Sequence, residues 1–229
     1  MTANASAAMK VTVTDMRPEY NHEVGRLIAY GFQGKFRSLT KNRPDDLAVV
    51  FRQLLEQSAE GTCTKRVVAL LGEEVVGTMS MKWHKDAAGG KAREAGVTEG
   101  TAREADMTAA GLVKLLETGG MRLSRRLLLL GALCCLNHNP VRGECYIADL
   151  AVHPRYQGMG IGGLLLHRAA QYMQGQPRLE YLSLHVSGRN TSAKGMYGRR
   201  GFRTQSEEHS LISKLLFGEE SWEYMICGQ

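Results

Sequence analysis

The sequence has no hydrophobic run long enough to cross a membrane. Its longest apolar stretch is "LLLLGALCCL" at 127–136, which has about half of the roughly twenty residues that a transmembrane helix needs. The first nine residues, "MTANASAAM", also lack the apolar centre of a signal peptide. We therefore expect a cytoplasmic protein with a disordered tail at 1–9 and a single domain at 10–229.

Cysteine is sparse and follows no metal-binding pattern. Five cysteines are scattered through the chain, with no CxxC pair and no Cys/His cluster at zinc spacing. Reduced, buried thiols are the expected state for a cytosolic protein. We expect no metal site.

Features of nucleic-acid-binding proteins are also missing. The formal net charge is +6 and aromatic residues make up 7% of the chain. This mild positive charge favours an anionic ligand. However, the sequence has no RNA-binding sheet motif and no basic helix suited to a DNA groove, so we expect no nucleic-acid partner.

Glycine, in contrast, is concentrated in one place. The stretch "GMGIGG" at 158–163 has four glycines in six residues, between an apolar run that ends at Val152 and a helical pattern that starts at Ile161. Glycine in an ordered region costs conformational entropy, so it usually answers a steric need. The free N–H groups of a first helical turn attract phosphate when side chains leave them accessible. The stretch indicates a pyrophosphate-binding loop, with Arg155 as an added positive charge.

Two common phosphate-binding loops do not fit this stretch. The Walker pattern requires a lysine after its last glycine, and none follows here. The dinucleotide pattern G-x-G-x-x-G is present at Gly158, Gly160 and Gly163. However, the next strand ends in His185 and Val186 rather than in an acid, and too little chain follows for the second half of that fold.

Hydrophobic periodicity predicts a mixed sheet with helices on both faces, in the α+β class. Strand, helix and strand between 144 and 186 imply a parallel pair, and the other strands are mostly antiparallel. The predicted strands are Val11–Thr14, Arg66–Leu71, Val75–Trp83, Glu144–Val152, Tyr181–Val186, Gly201–Gln205 and Trp222–Cys227. The predicted helices are Glu19–Phe32, Pro44–Gln57, Glu104–Leu116, Arg122–Leu136, Ile161–Met173 and Asn190–Arg199.

Two motifs resemble those of the GNAT N-acetyltransferase superfamily. The stretch V-x-P-x-Y-Q-G-x-G-I-G resembles its acetyl-CoA-binding motif Q/R-x-x-G-x-G/A, with Gln157, Gly160 and Gly162 in the three defined positions. The second motif, N-x-x-A-x-x-x-Y-x-x-x-G-F, is matched at Asn190, Ala193, Tyr197, Gly201 and Phe202. The resemblance covers 144–229. A helical insert at about 85–140, between two central strands, departs from the family pattern.

The resemblance implies an enzyme that moves an acetyl group from acetyl-CoA to a primary amine by direct transfer in a ternary complex. Pantetheine is then expected to pair with the main chain in a V-shaped gap between strands 144–152 and 181–186. The implied coenzyme-binding residues are Leu150, Val152, Arg155, Gln157, Gly158, Met159, Gly160, Ile161, Gly162 and Asn190.

The resemblance also implies catalytic roles. Tyr197 is expected to protonate the leaving thiolate, and a backbone N–H near Leu150 to stabilise the oxyanion. Asp149 is a candidate water-mediated base, with His185 and His153 as alternatives. Each role has a structural alternative: Tyr197 as a core side chain, Asn190 as a helix N-cap, and Asp149 as a hydrogen-bond partner. Deprotonation of the amine by solvent is a further alternative.

The acceptor and the insert stay open. The amine belongs to a small molecule or to a peptide N-terminus or lysine, because the basic connection at 33–44 and the acidic connection at 207–220 favour no single class. A non-catalytic acyl-CoA-binding sensor is the alternative function. We expect the insert to pack on its own sheet or in a homodimer rather than on a membrane surface.

Overall fold

The computed structural model describes residues 10–36, 44–57, 63–85, 138–210, 214 and 218–228. The predicted tail at 1–9 and the predicted helices Glu104–Leu116 and Arg122–Leu136 lie outside these residues. The domain boundaries and the helical content of the insert therefore stay predictions.

The described residues form one seven-stranded sheet in the order β1-β2-β3-β4-β5-β7-β6. The strands are β1 (Val11–Asp15), β2 (Thr64–Leu71), β3 (Glu74–Trp83), β4 (Glu144–Val152), β5 (Tyr181–Ser187), β6 (Arg203–His209) and β7 (Ser221–Gly228). The α-helices of this part of the chain are α1 (Asn21–Phe36), α2 (Pro44–Gln57), α3 (Ile161–Gln174) and α4 (Thr191–Gly198).

The strand directions confirm the predicted mixed sheet. Strands β4 and β5 are parallel and joined through α3, whereas the other neighbours are antiparallel. In the β3–β4 ladder, Gly77 lies opposite Val152 and Trp83 lies opposite Cys145. The connection that leaves β3 therefore begins at the opposite end of the ladder from the glycine-rich loop, as the sequence predicts.

Helices α1 and α2 cover one face of the sheet. Val24, Leu27 and Ile28 are buried in α1, and Leu47, Val50 and Phe51 are buried in α2. This spacing of three and four residues puts each apolar set on one side of its helix. Both sets belong to one core cluster with residues of β2, β3 and β4.

The opposite face of the sheet is covered by α3. Ile161, Leu165 and Ala169 of this helix are buried in a second core cluster, which includes Met79 of β3 and Ile147 of β4. Tyr197 of α4 belongs to the same cluster. Strands β3 and β4 thus have packed helices on both faces, which explains why their sequences read as almost continuous apolar runs.

The sequence placed β6 wrongly. The prediction was Gly201–Gln205, whereas the strand runs from Arg203 to His209. Gly201 has φ +87° and belongs to the turn after α4. Every residue of β6 is exposed at the edge of the sheet, so no hydrophobic alternation marks its ends.

Candidate active site

Strands β4 and β5 separate along their length. Their pairing runs from Glu144 opposite Tyr181 to Tyr146 opposite Ser183, although β4 continues to Val152. The separation begins beside a β-bulge. Ile147 and Asp149 face consecutive residues of β3, so Ala148 is the extra residue in β4. A bulge bends its strand and increases the local twist, and the result is the V-shaped gap that the resemblance implied.

The gap brings several predicted residues together. Asp149, Leu150, Asn190 and Tyr197 all line it. The other lining residues are Ile28 and Gly31 of α1, Ile147, Ala148 and Ala151 of β4, and Leu184, His185, Val186 and Ser187 of β5. The predicted coenzyme-binding residues at 155–162 follow the end of β4, in the loop and the first turn of α3.

The glycines of the loop have different physical reasons. Gly158 and Gly160 both have φ +80°, and a Cβ built on either would meet no atom of the described chain within 4 Å. Gly160 is also the N-cap of α3 and gives no side-chain cap to its first N–H groups. An open loop at a helix N-terminus suits a phosphate group. Gly162 serves packing, because a Cβ there would lie 2.7 Å from Met196 Sδ in α4.

Side chains of this loop are tied to neighbouring strands. Gln157 Nε2 donates to Val152 O at 3.1 Å. Arg155 Nη2 lies 3.2 Å from Glu74 Oε1, and the Arg155 side chain is 72% exposed. His153 Nδ1 accepts a hydrogen bond from Arg155 N at 3.2 Å. The loop is therefore braced from within, while its arginine stays accessible at the surface.

Two residues of the second motif, Tyr197 and Asn190, line the gap and also stabilise the local structure. Tyr197 is 8% exposed and lies 5.7 Å from Phe202 between ring centroids, yet it also lines the gap. Burial raises its pKa to about 12, so the hydroxyl keeps its proton at neutral pH. Asn190 Oδ1 accepts a hydrogen bond from Ala193 N at 3.1 Å. This contact confirms the N-cap role of Asn190.

Asp149 is held by a partner that the sequence did not reveal. Both of its carboxylate oxygens lie 2.7 Å from guanidinium nitrogens of Arg66 in β2. Ser80 Oγ donates to the same carboxylate. The Asp149 and Arg66 side chains are 14% and 16% exposed. A bidentate ion pair at this depth fixes the carboxylate and favours its charged form.

A tyrosine and a histidine meet where the two strands part. Tyr146 Oη lies 3.1 Å from His185 Nδ1, and Tyr146 is the last residue of β4 that pairs with β5. Burial lowers the pKa of His185, and the positive charge of His138 lowers it further. Burial likewise raises the pKa of Tyr146. The sequence named His185 as an alternative base but missed Tyr146, whose position depends on the register between the two strands.

Beneath this pair lies a buried carboxylate. Glu144 Oε1 accepts hydrogen bonds from His138 Nε2 at 2.9 Å, Tyr224 Oη at 2.8 Å and Ser183 Oγ, and its Oε2 accepts one from Val141 N at 2.8 Å. Burial opposes ionisation, but these donors outweigh it and lower the pKa of Glu144 to about 2. We call Glu144, His138, Ser183 and Tyr224 the Glu144 cluster.

Burial raises the thiol pKa of Cys145 and of Cys227. Neither of these two cysteines is in a disulfide. Burial and the neighbouring charge of Glu144 raise the pKa of Cys145 to about 12. The reactive form of a cysteine is its thiolate, so Cys145 is poorly suited to carry an acyl group.

The described residues contain neither a metal-binding cluster nor a membrane-spanning helix. Within the described ranges, no three His, Cys, Asp or Glu side chains come together in a way that fits a metal ion. The helices in those ranges are also too short or too polar to cross a membrane.

The fold is similar to that of several solved acetyltransferases. Arabidopsis thaliana NAA60 in complex with a bisubstrate analogue is 15% identical over 96% of this chain and 99% of its own, with a TM-score of 0.56. A chimera of the spermidine N-acetyltransferase SpeG from Vibrio cholerae and hSSAT is 12% identical over 95% of both chains, with a TM-score of 0.55. An acetyltransferase of the GNAT family from Streptococcus pneumoniae is 15% identical over 95% of this chain and 98% of its own, with a TM-score of 0.51.

The sequence itself gives a family match. No curated protein matches the chain. However, residues 112–202 match the model of the acetyltransferase (GNAT) family, whose enzymes use acetyl-CoA as the acetyl donor. That range contains β4, the glycine-rich loop, α3, β5 and α4, which together form the gap. Residues 112–202 thus match the GNAT acetyltransferase family, and the fold is similar to that of solved acetyltransferases.

Proposed function

We propose that this protein transfers an acetyl group from acetyl-CoA to a primary amine, directly and within a ternary complex, in the gap between β4 and β5. One observation carries the proposal. Beyond Tyr146, the described residues of β4 pair with β3 and not with β5. The main chain of 149–152 is therefore available to an extended ligand, which can pair with it as an added strand does. Pantetheine has that shape and carries amides that can form such bonds.

The loop after β4 suits the other end of the donor. The first N–H groups of α3 lack a side-chain cap, and Gly158 and Gly160 leave open space in front of them. These features support binding of the pyrophosphate at 158–162. Arg155 adds an accessible positive charge beside this loop.

Two groups in the gap fit the chemistry of thioester cleavage. The tetrahedral oxyanion needs a hydrogen-bond donor, for which we propose the main-chain N–H near Leu150. The departing thiolate needs a proton, for which we propose the Tyr197 hydroxyl. With a pKa of about 12 the Tyr197 hydroxyl is protonated at the start of each turnover, although the same shift makes it a weaker acid than an exposed tyrosine.

The proton acceptor is the third requirement, since only a neutral amine attacks a carbonyl. Asp149 was predicted for this role, but its bidentate pair with Arg66 already occupies the carboxylate. His185 lines the same gap and forms a hydrogen bond with Tyr146, and the lowered pKa of His185 leaves its imidazole neutral at physiological pH. We therefore favour the Tyr146–His185 pair as the base and retain Asp149 as the alternative that mutation tests.

The experiment that tests this function has two stages. Titration calorimetry with acetyl-CoA measures binding first, and we expect heat that saturates at one coenzyme per chain. Thiol release is then followed across a panel of a polyamine, an amino acid, an aminoglycoside, a lysine peptide and peptides with free N-termini. Release with at least one amine supports the proposal and identifies the acceptor class.

Each stage has an outcome against the proposal. Binding of acetyl-CoA without thiol release for any amine supports the alternative of a non-catalytic acyl-CoA sensor. Absence of heat with acetyl-CoA and with longer acyl-CoAs contradicts both functions.

A further inference from the structure

Glu144 is a buried acid for which the proposed reaction has no use. Its residue is 1% exposed, and it is the one carboxylate in the described part of the chain that is buried. Burying a charge is expensive unless hydrogen bonds compensate for it. Here four donors from four different residues converge on the two oxygens. A position with this cost calls for a reason beyond packing.

The hydrogen bonds define the protonation of the cluster. An ionised carboxylate has no proton to give, so each of its partners must donate. His138 therefore carries a proton on Nε2, and Tyr224 turns its hydroxyl hydrogen toward Glu144. Glu144 thus holds the Nε2–H group of His138 and fixes the orientation of the Tyr224 hydroxyl.

Those two rings form the surroundings of the proposed base. The centroid of the His138 ring lies 4.3 Å from that of Tyr146 and 5.2 Å from that of His185. The Tyr224 centroid lies 5.0 Å from that of His185. One carboxylate therefore holds two of the rings that contact the Tyr146–His185 pair, while Glu144 itself does not contact the gap.

We propose that Glu144 is a positioning residue for the Tyr146–His185 pair, which it serves by holding His138 and Tyr224 against the two rings and by placing a fixed negative charge beneath them. This inference rests on the proposed amine acetylation. It adds that the base works at its normal pH only while the charge of Glu144 and the rings of His138 and Tyr224 are in place.

The cluster members affect the base in opposite directions. The negative charge of Glu144 raises the pKa of His185, whereas the positive charge of His138 lowers it. Other titratable groups face the pair from the neighbouring elements: Lys82 of β3, Tyr181 of β5, Tyr197 of α4, Glu208 of β6 and Tyr224 of β7. Variants at Glu144 and His138 leave all of these unchanged.

The test is the pH dependence of kcat/KM for the amine that releases thiol most rapidly. Its acidic limb reports the proton affinity of the base in the free enzyme. In Glu144→Gln the limb is expected to move to lower pH by at most about one unit, because the negative charge that raises the pKa of His185 is lost. The plateau rate is expected to fall by about tenfold, because a weaker base transfers protons less efficiently.

His138→Gln is the second variant, and it keeps an N–H donor for Glu144. The electrostatic interaction with His138 lowers the pKa of His185, so its loss is expected to move the acidic limb to higher pH, opposite to the shift in Glu144→Gln. The His138 side chain is 26% exposed, so this variant tests the inference even if Glu144→Gln fails to fold. Ser183→Ala is the matched control, because it removes one hydrogen bond to Glu144 but no charge, and its limb stays at the wild-type pH.

The outcomes separate this inference from the proposed function. Thiol release by the wild-type protein establishes the function first. If the wild-type protein is active and the limb of Glu144→Gln does not move, Glu144 is structural and the inference is overturned. Shifts of the two variants in the same direction also overturn it.

Discussion

The two halves of β4 differ in what lies beside them. At Cys145 and Tyr146 the strand pairs on both sides, with β3 and with β5. From Asp149 to Val152 the described chain pairs it with β3 alone. The first half thus contributes side chains to the site, whereas the second half contributes main chain. In the proposed mechanism, β4 thus contributes Tyr146 to the base and its main chain to coenzyme binding.

The second half needs support from the side that remains paired. Arg66 reaches Asp149 across the intervening strand β3, and Ser80 of β3 adds a hydrogen bond. These contacts begin one residue after the bulge at Ala148. The ion pair therefore holds the second half of β4 against β3, whereas the first half is held by pairing with β5.

The largest effect is expected for Tyr197, the proposed proton donor, which lines the gap beside the half of β4 that does not pair with β5. Tyr197→Phe keeps the ring that packs on Phe202 but removes the hydroxyl, so turnover is expected to fall by about a thousandfold, within the usual range for a general acid. The affinity for acetyl-CoA is expected to stay close to that of the wild-type protein. Thiol release and calorimetry measure the two quantities.

Tyr172→Phe is the matched control for this variant. Tyr172 lies in α3 beside Trp83 at 5.2 Å between ring centroids, away from the gap, and its loss of a hydroxyl is expected to leave turnover unchanged. Full activity in Tyr197→Phe contradicts the acid role and leaves Tyr197 as a core residue.

The next effect concerns protein stability and the half of β4 that pairs with β5, where Glu144 lies. The pKa of Glu144 is lowered from 4.5 to about 2, so in this window the unfolded state binds more protons than the folded state. The resulting stability is fully present above pH 4.5 and is lost as the pH falls toward 2. Its size is about 3 kcal/mol, at about 1.4 kcal/mol for each pKa unit.

Urea unfolding between pH 7 and pH 2 measures this loss. Comparison with Glu144→Gln isolates the contribution, because the variant has no carboxylate at this position to titrate. If the free energy of unfolding changes with pH in the same way in both proteins, Glu144 is not ionised in the folded state.

A smaller effect is expected for the Arg66–Asp149 ion pair, which supports the half of β4 that does not pair with β5. Asp149→Asn leaves the partly buried guanidinium of Arg66 without its counter-charge, and the free energy of unfolding is expected to fall by about 2 kcal/mol. Asp15→Asn is the control. Asp15 also pairs with a β2 cation, Lys65, but its side chain is 50% exposed, so a loss of at most about 1 kcal/mol is expected.

The same variant decides between the two candidate bases. If Asp149 only braces the strand, Asp149→Asn retains the acidic limb of the kcat/KM profile at the wild-type pH. Disappearance of that limb assigns the base to Asp149 and removes the Tyr146–His185 pair from the mechanism.

The smallest effect is expected in the loop that follows the open half. Gly160→Ala adds a methyl group in the space that the proposed pyrophosphate occupies, and it forces alanine into φ +80°, which costs about 1 kcal/mol. Affinity for acetyl-CoA is expected to fall about tenfold, or about 1.4 kcal/mol.

Gly198→Ala is the control for the loop variant. Gly198 ends α4, and a Cβ there also meets no atom of the described residues within 4 Å, but its φ is not in the left-handed range. Calorimetry on both variants gives the affinities. Equal affinities argue against phosphate binding at 158–162.

Local features of the sequence predicted much of this architecture. The ends of α2 and β4 were predicted at the residues where the structure has them, because proline, glycine and apolar runs mark them. The gap between β4 and β5 followed from two sequence motifs. The role of Gly162 in bringing α3 close to Met196 was not visible, since that contact joins two helices.

The remaining parts depend on how distant strands align. Arg66 and Asp149 are 83 residues apart in sequence, and Tyr146 and His185 are 39 apart. Each pair forms only because the sheet order and register place the two side chains on one face. Periodicity within a single strand contains no information about that alignment, so both pairs were missed. The bounds of the edge strand β6 were predicted wrongly because the strand is exposed along its whole length and shows no hydrophobic alternation.

Because β4 stops pairing with β5 at Tyr146, binding of the proposed acetyl donor at the open edge is thermodynamically linked to folding. Any molecule that satisfies the open edge binds the folded chain alone and so shifts the unfolding equilibrium, by about 2.7 kcal/mol at a concentration one hundred times its Kd. The melting temperature should therefore rise with acetyl-CoA concentration even when no amine is present. With acetyl-CoA as the proposed occupant, the incomplete ladder makes the equilibrium stability of the fold depend on the supply of acetyl donor.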